Sequence, residues 1–70
     1  MPKKIRELKA MLQRAGWVQI PGAGKGSHTK WWHPNVLRRL TLSGRDGNDA
    51  DHYQEKDVQA AIREAKGGAE

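Results

Sequence analysis

A chain with no phenylalanine and no cysteine has to assemble its interior around tryptophan, and this one has three: Trp17, Trp31 and Trp32. The constraint is severe because the chain has only 70 residues. A domain of that size hides only about 60% of the surface that its unfolded form exposes. Each tryptophan can bury roughly 150–250 Å², a large part of what so thin a core needs. Neither a disulfide framework nor a thiolate metal centre is available as support. The expectation is one domain over residues 1–70, with 67–70 as a frayed tail.

Apolar residues recur at intervals of three and four through Ile5, Leu8, Met11, Leu12 and Ala15, the stripe of an amphipathic helix. Pro2 suits its first turn, and Gly16 followed by Trp17 suits a left-handed stop with an apolar residue folding back. Trp17-Val18-Gln19-Ile20 then alternates with period two and ends at Pro21-Gly22. The glycine-rich run Gly22-Ala23-Gly24-Lys25-Gly26 reads as a turn. A second strand is expected over 27–33, a turn at Pro34-Asn35, and a third strand over 36–43. In the third strand Leu40 and Leu42 share one face and Arg39 and Thr41 the other. After a polar loop, Asp51 with Gln54 three residues on resembles a capping box, and Val58, Ala61, Ile62 and Ala65 give a second helical stripe up to Gly67-Gly68. The order is α-β-β-β-α. It predicts an α+β fold with a three-stranded antiparallel sheet, two helices on one face and the other face open.

Charge is divided along the chain. Residues 1–39 hold nine Lys or Arg against one acid, Glu7, whereas residues 40–70 hold seven acids against four bases. A basic half of this kind suits a polyanion, nucleic acid first and an acidic protein next. The charged start Met1-Pro2-Lys3-Lys4 is unlike a signal peptide, and no later stretch has the 18 or more apolar residues of a membrane span. The expectation is a cytoplasmic protein without a membrane partner.

Chemistry concentrates in Gly24-Lys25-Gly26-Ser27-His28-Thr29-Lys30-Trp31-Trp32. Lys25 and Lys30 can contact phosphates, and the glycines let a backbone approach closely. Alternation places His28, Lys30 and Trp32 on one face and Ser27, Thr29, Trp31 and His33 on the other. If Trp31 enters the core, His28 faces outward; with tryptophan at both neighbouring positions, the parity can also be inverted. Histidine is the side chain best suited to moving protons near neutral pH. RNA cleavage by its own 2′-hydroxyl needs a proton taken from that oxygen or given to the leaving one. A lone strand histidine is equally a plain polar surface residue.

Metal chemistry is the rival, with His28, His33 and His52 as candidate ligands. An odd spacing points His28 and His33 to opposite faces of a strand, and the acids cluster elsewhere. No serine, histidine and acid stand at a spacing that suggests a hydrolytic triad.

On these residues the chain resembles the HicA family of bacterial toxins, small messenger-RNA-cleaving proteins of type II toxin-antitoxin systems. Their α-β-β-β-α fold is similar to the double-stranded-RNA-binding domain. The resemblance rests on Ile5-Arg6-Glu7-Leu8-Lys9 and Leu12, the Ala15-Gly16-Trp17 junction, Gly26-Ser27-His28, and a closing helix around Val58 and Ile62. It implies a metal-independent endoribonuclease without cofactor, His28 as the catalytic residue, mRNA as substrate and a HicB-like antitoxin as partner. Lys25, Gly26, Ser27, Lys30 and Trp32 are then the expected RNA-binding residues. Many relatives carry a Val-Pro-x-His-like segment after the third strand, where this chain has Leu40-Thr41-Leu42-Ser43-Gly44, so the expectation is a single histidine. Two other readings fit the same order and charge: a non-catalytic double-stranded-RNA-binding module, and an interaction protein whose basic face meets only an acidic partner.

Overall fold

A computed structural model describes residues 3–22 and 26–67 of the chain. Its elements are α1 (Ile5–Arg14), β1 (Val18–Gln19), β2 (Thr29–His33), β3 (Val36–Leu42) and α2 (His52–Gly67). The strands form one antiparallel sheet in the order β1-β2-β3. The chain is only 17 Å deep along its shortest axis, as two layers of secondary structure require.

Both helices lie against one face of that sheet. Ile5, Leu8 and Leu12 from α1 and Val58 and Ala61 from α2 close over Trp17, Trp31, Leu40 and Leu42. Trp31 is wholly buried. Its indole N–H stays satisfied by donating to Thr29 Oγ1 at 3.0 Å, two residues back on the same face. Trp17 is also buried, but its Nε1 has no hydrogen-bond partner among the described residues.

The end of α1 is the expected left-handed stop. Gly16 has φ +94°; its N–H donates to Gln13 O at 3.1 Å and that of Trp17 to Leu12 O at 2.9 Å, the paired bonds of a Schellman motif. Pro2, placed by the sequence in the first turn, and Gly68 to Glu70 at the tail lie outside the described residues. At the other end, α1 is capped by the loop before α2. The N–H groups of Ile5 and Arg6 donate to the carbonyls of Asn48 and Asp46, which satisfies donors that a helix start otherwise leaves unpaired.

The strands are shorter than expected. The first keeps only Val18 and Gln19 of the predicted 17–20, and the second begins at Thr29 because Gly26 and Ser27 form a turn. The third ends at Leu42, one residue early. The β2-β3 register also shifts between Trp31 and His33: Trp31 opposes Leu40 but His33 opposes Val36. Two extra residues are thereby accommodated in β3, so its alternation breaks near Leu37, which is fully exposed. Among the described residues, no helix is long and apolar enough to cross a membrane.

Candidate functional site

Register resolves the ambiguity left by two adjacent tryptophans. Trp31 faces Leu40, and Thr29 faces Leu42, on the helix side of the sheet. His28, Lys30 and Trp32 therefore project from the other side, and all three are exposed. His28 sits immediately before β2, on the residue that links the Gly26-Ser27 turn to the strand. That turn needs its glycine: Gly26 has φ +61°, a region that side chains with a Cβ rarely adopt. Ser27 is half-buried beside it. Lys25, the other expected phosphate contact, lies outside the described residues.

The outer face contains more than the sequence singled out. Val18 is the register partner of Trp32, and Thr41 the partner of Lys30. Arg39 precedes the inward Leu40 and so points outward, while Arg38 turns toward α2 and pairs with Glu64 at 2.9 Å. Alternation already placed Arg39 and Thr41 opposite Leu40 and Leu42. Without the register, nothing joined them to His28.

Electrostatically the two sides differ. Between Leu8 and Arg45 the sequence has no acidic residue, so the sheet contains none. The acids of the loop serve the helix side, where Lys4 pairs with Asp49 and Lys9 with Asp46, each at 2.6 Å. Neither Lys30 nor Arg39 forms an ion pair among the described residues.

The three histidines do not converge. His33 is buried on the helix side, tilted against the Trp17 ring at 5.6 Å between centroids. Its Nδ1 accepts from the N–H of Asn35 at 3.0 Å, so its Nε2 carries the proton and donates to Ala15 O at 3.1 Å. His33 thus ties the β2-β3 turn to the end of α1. His52 begins α2. Among the described residues, no group of three or more His, Cys, Asp or Glu is arranged to hold a metal ion. A shallow hollow of about 330 Å³ lies by Asn35, Leu37 and Glu64, at the far end of β2 from His28.

Comparison with known proteins gives one match. The model of a family described as HicA toxin of bacterial toxin-antitoxin covers residues 5–66. No curated protein and no solved structure matches the chain.

Proposed function

The chain belongs to the HicA toxin family of bacterial toxin-antitoxin systems, and from that premise we propose that it is a metal-independent endoribonuclease acting on messenger RNA through His28. One observation carries the reading. An exposed histidine stands at the start of a sheet face that has cations and no acid, reached from a turn that glycine shapes.

RNA supplies its own nucleophile. The 2′-hydroxyl attacks the adjacent phosphorus, the bond to the 5′-oxygen of the next nucleotide breaks, and a 2′,3′-cyclic phosphate and a 5′-hydroxyl result. His28 takes the proton from the 2′-oxygen or delivers one to the departing 5′-oxygen. Lys30, with Lys25 before the turn, holds phosphates and offsets the charge that builds on the phosphorus oxygens. Gly26 and Ser27 set the approach of the backbone, and Trp32 contacts the RNA beyond. The partner of such a toxin is an antitoxin, here a HicB-like protein that covers His28 and competes with RNA for the basic face.

Purified protein incubated with a long single-stranded RNA, with and without EDTA, tests this reading. Fragments are expected in both reactions. Binding without cleavage would replace it by a non-catalytic RNA-binding module. Cleavage lost in EDTA and restored by a divalent ion would replace it by metal catalysis.

A further inference from the structure

Val18 and Trp32 stand side by side on the outer face of the sheet, 48% and 42% exposed. Exposure of one large apolar side chain is ordinary. This pair differs in its surroundings, because Lys30 stands two residues before Trp32 on the same face of β2, and Arg39 adjoins Leu40, the β3 partner of Trp31. Elsewhere three cations, Lys4, Lys9 and, from β3, Arg38, are each paired with a carboxylate. Lys30 and Arg39 have no such partner among the described residues, and no acid lies on any strand. An indole flanked by unneutralised cations complements a nucleobase flanked by phosphates.

The indole also selects among RNAs. Stacking requires an accessible base face, and in an A-form duplex those faces are covered by neighbouring base pairs. We infer that the outer sheet face binds an unpaired RNA strand, with one base stacked on Trp32 against Val18 and the adjoining phosphates held by Lys30 and Arg39. The inference rests on the ribonuclease reading above and adds to it the class of RNA and a specificity-determining residue. Trp32 lies four residues from His28, roughly 13 Å at about 3.3 Å per residue. The stacked base therefore belongs to a nucleotide away from the scissile phosphate, and Trp32 governs KM more than kcat.

The test reads RNA affinity by gel mobility shift and, beside it, the quenching of tryptophan emission, for which Trp32 is the indole that RNA can reach, Trp17 and Trp31 being buried. Full-length protein carrying His28→Ala is titrated with an unstructured RNA oligonucleotide, with the same oligonucleotide made abasic, and with the strand annealed to its complement. The unpaired strand should quench the emission and bind tightest. Adding Trp32→Leu should weaken that binding by about fivefold to 100-fold, the range of one base stack, and should abolish the quench. Trp32→Phe should restore most of the affinity, which a purely structural role in the sheet would not require. Abasic RNA should bind both the Trp32→Leu protein and its Trp32 counterpart equally. Equal affinity for duplex and unpaired strand, or abasic RNA bound as tightly as intact RNA, overturns the stacking platform. In parallel, the unmodified chain is assayed for RNA cleavage. Cleavage with no Trp32 dependence removes the platform and leaves the nuclease; no binding and no cleavage of any RNA removes both.

Discussion

His33 and His28 illustrate how little residue type alone decides. Five positions apart, one is buried with both ring nitrogens engaged within the protein, and the other is exposed where the open face begins. His33 was a candidate metal ligand by composition; its place in the fold makes it a clamp on the end of α1. Gly16 is the other half of that clamp. A Cβ there would lie 3.0 Å from His33 Nε2, on a backbone with φ +94°. Gly16→Ala should therefore cost more than about 1 kcal/mol, combining left-handed strain with crowding of the imidazole. Urea denaturation checks this, and unchanged stability would mean that the clamp is not tight. The left-handed stop at Gly16 was legible because glycine before an apolar residue has few other meanings. The inward choice between Trp31 and Trp32 was not, because it depends on which of them opposes Leu40 across the sheet.

Among the elements, the loop between β3 and α2 carries more of the architecture than its polar sequence suggested. Its carbonyls cap α1, its acids pair with Lys4 and Lys9, and Gln54 fastens its far end. The exposed ion pairs each contribute under about 1 kcal/mol. Gln54 is buried: its Oε1 accepts from Asp51 N at 3.1 Å, and its Nε2 donates to Ser43 O at 2.8 Å. Gln54→Ala should lower stability by about 1–3 kcal/mol, the cost of leaving such partners unpaired. Thermal or urea melts measure it, and a loss within error would show that water replaces the side chain. The sequence offered the bond to Asp51 as half of a capping box, but the bond to Ser43 spans two elements and leaves no local pattern. The same holds for the register shift in β3, which no glycine or proline marks. Helix periodicity, in contrast, survives almost unchanged, because Ile5, Leu8 and Leu12 or Val58, Ala61 and Ala65 can share a face in only one local conformation.

Across the whole molecule, the acids of the described residues lie on the two helices and on the loop before α2, and none lies on the sheet. Acids from the second half pair with Lys4, Lys9 and, from β3, Arg38, whereas Lys30 and Arg39 on the outer sheet face have no carboxylate partner among the described residues. The same face can attract an acidic protein surface, and complementary charge would speed that encounter. RNA and antitoxin should then compete, which His28→Ala protein allows to be measured without cleavage. Increasing antitoxin should displace bound RNA; a ternary complex with undiminished RNA affinity would exclude occlusion of the face. The central claim is narrower than this competition, since it concerns one proton and one side chain. His28 is exposed and outside the core, so His28→Ala should keep the circular dichroism spectrum and thermal midpoint of the unmodified chain. The direct measurement is the single-turnover rate of RNA cleavage by the two folded proteins. The account predicts a fall of about 10²- to 10⁴-fold on losing the imidazole, and an unchanged rate would contradict it.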